Sequence, residues 1–114
     1  MKFVRADSIE YLRNTDETFD FVFLDSSHLA RLVYQEIPLA LRVLEDGGSV
    51  LLHDYFPGNR PLWSDGELVP GPYLAIKRLR AEGAELDVLP LGALPWPTKL
   101  GSDVTSLGLL TGRQ

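Results

Sequence analysis

The chain contains no cysteine. That removes disulfides, thiolate metal ligands and thiol nucleophiles together, and leaves only oxygen and nitrogen donors for any metal ion. It contains no G-x-G either, since none of its 10 glycines stand two apart. The turn that cradles a nucleotide phosphate between a strand and a helix therefore has no sequence to build it. Long apolar runs are missing as well. A membrane-spanning helix needs about 20 consecutive apolar residues, and the opening "MKFVRADSIEYL" is too short and too polar for the core of a signal peptide. The expectation is a cytoplasmic protein without membrane contact. Positive charge is the last scarcity: 11 Lys and Arg against 16 Asp and Glu give a net charge of -5, and the basic residues are scattered. A phosphate track has no footing, so nucleic acid is not an expected partner, and small molecules or proteins remain.

What is present suits one folded domain. At 114 residues, 45% hydrophobic and 24% charged, the composition is that of an ordinary globular chain able to bury roughly two-thirds of its unfolded surface. Four stretches have strand character: residues 19–25 ("FDFVFLD"), 49–54 ("SVLLHD"), 86–91 ("LDVLPL") and 106–111 ("SLGLLT"). The run Phe21, Val22, Phe23, Leu24 is apolar on both faces, which predicts a central strand covered on both sides. Between the strands lie helical patterns. Leu29, Leu32, Val33, Ile37, Leu41 and Leu44 recur three or four apart, predicting a helix over 29–44 with a kink or break at Pro38 and a stop at Gly47 and Gly48. A second helix is expected over 72–82 and a short one over 8–13, with Asp7 or Ser8 as its N-cap. Strands alternating with helices predict a mostly parallel sheet. The last two strands have only a loop between them, so they should pair antiparallel as a long hairpin at one edge.

Two strands end in acid, at Asp25 and at Asp54. In an open parallel sheet ligands bind beyond the carboxyl ends of the strands, so two such strands side by side aim both carboxylates into one crevice. Paired carboxylates repel unless a proton or cation intervenes, and with further oxygens they suit a divalent ion such as Mg²⁺. An Asp at such a junction also serves as a cap, but the pair together with two histidines favours a site. His28, three residues past Asp25, is either a general base at the mouth of the crevice or an exposed residue of the next helix's first turn. His53 precedes Asp54, and strand alternation predicts that their side chains diverge, which makes His53 a structural histidine. The long loops 56–71 and 92–105 each hold Pro, Gly and a Trp; Trp63 and Trp96 either wall a pocket or pack the loops down.

These segments resemble the second half of a class I S-adenosylmethionine-dependent methyltransferase over nearly the whole chain. "FDFVFLDSSH" is similar to the family's fourth-strand motif, "LRVLEDGGSVLLHDY" to its helix and fifth strand with the Gly-Gly turn, "LDVLPLG" and "SLGLLTG" to its antiparallel pair, and "VRADSIEYL" to the segment after its third strand. The resemblance implies an α/β fold: a Rossmann-like methyltransferase three-layer sandwich, truncated so that residues 1–114 form one partial domain from the third strand onward. It implies S-adenosylmethionine as cofactor, with Asp7 contacting the adenine and Ser8 beside it. Within the superfamily the chain most resembles the cation-dependent small-molecule O-methyltransferases. That implies metal ligation by Asp25 and Asp54 with a divalent cation such as Mg²⁺, a small-molecule hydroxyl acceptor, and catalytic roles for Asp25 and for His28 as general base. Tyr55 stands where the family commonly has Asn as a third ligand, and His28 where the catechol-type enzymes have Lys.

The glycine-rich loop and the acid that holds the cofactor ribose are absent, because the chain begins at the equivalent of the third strand. Losing the first two strands would leave a sheet edge unpaired, which predicts a homo-oligomer, a dimer through that edge, or a rearranged strand at Phe3 and Val4 that patches it. Two other readings stand beside the enzyme. One is a noncatalytic module, derived from a methyltransferase fold, that binds itself or a partner. The other is a metal-dependent hydrolase built on the His53-Asp54 pair, a dipeptide common by chance.

Overall fold

The computed structural model describes residues 6–25, 28–92, 96 and 104–112. The rearranged strand expected at Phe3 and Val4, and most of the 92–105 loop, lie outside them.

Helix α1 (Ser8–Asn14) begins where Asp7 caps it: Asp7 Oδ1 accepts a hydrogen bond from the Glu10 amide at 3.0 Å. One of the donors that a first helical turn leaves free is thereby satisfied. Strand β1 (Phe19–Leu24) follows, then helix α2 (Ala30–Arg42), which turns Val33, Glu36, Ile37 and Ala40 inward. Of the kink or break expected at Pro38, the break does not occur, since α2 runs through it. Proline removes one amide donor, but Ile37 before it and Ala40 after it are both fully buried on one core, and that shared burial keeps the two halves in one helix.

Helix α2 stops two residues earlier than its periodicity suggested, and strand β2 (Leu44–Leu52) starts at once. The Gly-Gly pair falls inside a bulge of that strand. Phe19 pairs with Leu44 and Phe21 with Ser49, so the single residue Asp20 faces four on β2, and Gly47 takes the left-handed conformation (φ 79) that the excess chain requires. A short 3₁₀ turn (Pro57–Asn59) leads to helix α3 (Gly71–Ala81), strand β3 (Leu86–Leu91) and strand β4 (Leu107–Gly112).

The sheet order is β1-β2-β4-β3. Strands β1 and β2 are parallel, while β4 is antiparallel to both β2 and β3. The expected hairpin of the last two strands is present, but the mostly parallel sheet is corrected to a mixed one. Strand β4 does not hang at the margin; it inserts beside β2, so two of the three pairings are antiparallel.

Among the described residues, helices α1, α2 and α3 pack on one face. Leu12, Ile37, Ile76 and Leu79 meet Val50, Leu52, Leu110 and Leu86 in a single core, with Val22 and Leu24 at its edge. Each fully buried aliphatic side chain there stabilises the fold by about 1.5–3 kcal/mol. The opposite face holds a row that register and alternation set across all four strands: Phe23 opposite Leu51, Leu51 opposite Leu109, and Leu109 opposite Leu89. No helix among the described residues covers it, so the three-layer sandwich is corrected to two layers. Among the described residues strand β1 is likewise at the end of the sheet, and Phe21 and Phe23 are 54% and 49% exposed, rather than covered on both sides.

Candidate functional site

The site is built by the parallel pairing of β1 and β2. Leu24 pairs with Leu52, so Asp25 and His53 emerge side by side from the same carboxyl end. The His53 amide donates to the Leu24 carbonyl at 3.1 Å, extending the ladder one step beyond the strands. That step brings His53 Nδ1 to 2.9 Å from Asp25 Oδ1.

Alternation then predicts that Asp54 turns away from His53, and it does not. His53 Nδ1 is also 2.9 Å from Asp54 Oδ2. Strand β2 ends at Leu52, and Asp54 has φ 56, a left-handed conformation that folds its carboxylate back toward the neighbouring side chain. Asp and Asn tolerate that region better than other side-chain-bearing residues. The reading of His53 as a residue apart from Asp54 is therefore corrected. No periodicity in the sequence signals this, because the pattern reads as a strand through Asp54 and only the structure ends it at Leu52.

Asp25, His53 and Asp54 form one group whose ligand atoms all lie within 4.8 Å of one another. His28 joins from the start of the next segment, its Nδ1 2.7 Å from Asp54 Oδ2. The His28 side chain is 61% exposed while that of Asp54 is 12% exposed, so an outward imidazole leans on an inward carboxylate. His53 Nδ1 differs from both. It is buried, and although two carboxylate oxygens stand at 2.9 Å, neither contact has the direction of a hydrogen bond. Phe23 packs edge-on against the His53 ring, with centroids 6.3 Å apart, and limits its rotation.

The backbone at His28 is fixed from behind by α3. A Cβ on Gly71 would come within 1.8 Å of the His28 carbonyl oxygen, a distance no side chain can share. Glycine at the start of α3 is what lets the helix approach the segment that carries His28.

Asp7 and Ser8 lie elsewhere, at the start of α1. Asp7 caps that helix through one oxygen, and the Ser8 hydroxyl donates to the buried Glu36 carboxylate of α2 at 2.9 Å. Beside them is a hollow of about 410 Å³ lined by Ala6, Asp7, Glu10, Tyr11, Asn14 and Thr15. Tyr55, in the position of the third ligand suggested by resemblance, belongs to the core and stacks obliquely with Tyr73. Burial raises its hydroxyl pKa above the ordinary 10.0. Trp63 packs edge-on against the fully buried Phe56, and its indole donates to the Val104 carbonyl at 3.3 Å, pinning two long loops together. Trp96 is exposed.

Residues 1–55 match the family model described as "Methyltransferase domain". The matched stretch, just under half of the chain, is what is similar to that domain. It ends at Tyr55, so Asp7, Ser8, Asp25, His28, His53 and Asp54 all fall inside the matched stretch. No curated protein matches the chain. Among the described residues, no helix is long and apolar enough to cross a membrane.

Proposed function

We propose that the chain carries the acceptor-side machinery of an S-adenosylmethionine-dependent O-methyltransferase acting on a small-molecule hydroxyl. The observation that carries the reading is the convergence of Asp25, His28, His53 and Asp54 at the carboxyl ends of two adjacent parallel strands. Such an end is where open α/β sheets bind their ligands.

The residues divide the work by position. His28 has one ring nitrogen beside Asp54 and an exposed face, so its other nitrogen is the one free to take a proton from an acceptor hydroxyl. Asp54 holds the ring in that orientation and stabilises the charge that the imidazole gains. Asp25 and Asp54 are the acids that would hold a divalent ion, and the donor set fits one: two carboxylates meet at a buried imidazole nitrogen that has no directed hydrogen bond among the described residues. Such an ion supplies charge that favours the ionised hydroxyl. The sulfonium cofactor supplies the methyl group. Asp7, with Oδ1 committed to its cap, keeps its second oxygen for a donor such as the adenine amine, and Ser8 adjoins it.

Calorimetric titration of the chain with S-adenosylmethionine tests the reading. Saturable binding at micromolar concentration, lost in Asp7→Ala, is the expected result, and no binding would remove the enzyme. A second reading, a noncatalytic module that associates through its sheet, is favoured by the uncovered row containing Phe23 and Leu89. Absence of cofactor binding together with self-association would select it.

A further inference from the structure

We infer that His53 is a metal ligand through Nδ1 and that the site formed with Asp25 and Asp54 takes a borderline first-row transition ion, of the Mn²⁺ to Zn²⁺ series, in preference to Mg²⁺. The inference rests on the proposed metal-holding role of Asp25 and Asp54 but adds a donor and a selectivity that the role does not contain.

Three observations carry it. First, the imidazole nitrogen is the centre of the group: Nδ1 is 2.9 Å from an oxygen of each acid. An octahedral ion that holds its ligands at 2.0–2.1 Å keeps neighbouring donor atoms about 2.9 Å apart. Second, that nitrogen is buried and makes no directed hydrogen bond among the described residues. A buried polar atom left so is costly, and a lone pair aimed at a shared ion removes the cost. Third, the ring is held in place by means other than the acids. The His53 amide is locked to the Leu24 carbonyl and Phe23 packs on the ring, so Nδ1 is presented to the carboxylates before any ion arrives.

The chemistry of the donors sets the preference. Mg²⁺ demands hard oxygen ligands and gives up its water reluctantly. Imidazole suits the borderline transition ions, whose affinity for mixed nitrogen and oxygen sites rises along the series toward copper. With no cysteine in the chain, thiolate-selected ions have no claim on the site. His28 lies against Asp54 Oδ2 at 2.7 Å and can donate to that oxygen while another lone pair serves the ion, an arrangement that orients a ligating carboxylate.

The test uses the full 114-residue chain after treatment with a chelator. Mg²⁺, Mn²⁺, Co²⁺ and Zn²⁺ are titrated separately by calorimetry, with the visible spectrum of the Co²⁺ form recorded as a ligand-field signature. One equivalent of Co²⁺ or Zn²⁺ should bind about 100-fold more tightly than Mg²⁺. His53→Ala should weaken the transition ions at least tenfold and change the Co²⁺ spectrum while leaving Mg²⁺ nearly unaffected. His53→Glu, which makes the donor set all oxygen, should move the preference toward Mg²⁺, and it also covers the case in which the alanine variant does not fold. Mg²⁺ binding as tightly as Co²⁺, or a Co²⁺ affinity and spectrum indifferent to His53, overturns the inference. Cofactor calorimetry keeps the two ideas apart: selective Co²⁺ binding without S-adenosylmethionine binding sinks methyl transfer and spares the metal site, and the converse result does the opposite.

Discussion

At the scale of single residues, the site depends on one backbone angle. Asp54 sits at φ 56, and it is this left-handed turn that sends its carboxylate to both imidazoles. For a residue with a Cβ the conformation is unfavourable by roughly 1–2 kcal/mol, least so for Asp and Asn. Replacing Asp54 therefore separates backbone cost from side-chain chemistry. Asp54→Gly should be more stable than Asp54→Ala by roughly 1 kcal/mol in urea unfolding, because the strain of a Cβ at positive φ exceeds what alanine gains over glycine by restricting the unfolded chain. Equal midpoints for the two variants would show that the angle is not held in solution. The same angle marks the limit of what the sequence discloses. Asp25 and Asp54 could be read as a pair because both follow apolar strands, and parallel pairing delivers both to one end. His53 could not, because its place beside Asp54 comes from a dihedral that no periodicity encodes.

Between elements, helices α2 and α3 are joined on their outer side by a small polar cluster. The Tyr34 hydroxyl donates to Glu82 at 2.6 Å, and the Arg78 guanidinium lies over the Tyr34 ring, 5.0 Å from its centroid. The hydrogen bond to Glu82, then desolvation and the Glu82 charge, raise the Tyr34 pKa above its ordinary 10.0. The sign of the pH effect follows directly. The folded state holds the proton more tightly, so the contribution is fully present below pH 10.0 and is lost as pH climbs through the higher folded value. In spectrophotometric titration Tyr34 should ionise later than an exposed tyrosine, and the alkaline fall in melting temperature should be shallower in Tyr34→Phe than in the parent. Identical alkaline profiles would remove the link. These helices were legible because their apolar spacing is regular, and so was their order along the chain. The end of α2 was not, because Leu44 fits a helical period as well as a strand, and only pairing with Phe19 decides between them.

Across the whole molecule, what the sequence left undetermined is which face of the sheet receives the helices. A run such as "FVFL" is apolar at every position, so it fits a strand covered twice or a strand covered once with an apolar face to spare. The structure has the second arrangement: Val22 and Leu24 meet the core, and Phe21 and Phe23 face out. With Leu51, Leu109 and Leu89 they form a continuous apolar surface on the order of 500 Å², near the upper limit for the largest patch on a soluble monomer. A standard association covers about 800 Å² on each partner, so this surface supplies more than half of what a second copy of the chain would cover. In the isolated 114-residue chain the expected outcome is a dimer, seen by light scattering as twice the monomer mass and diluting to monomer at low concentration. Phe21→Lys with Leu89→Lys, both on exposed positions away from the helix-packed core, should shift the mass to monomer and leave the melting temperature unchanged at concentrations where the parent is also monomeric. Monomer alone at high concentration in the parent chain would mean that the apolar row is not an interface between copies. A dimer untouched by the lysine pair would place the contact on another surface.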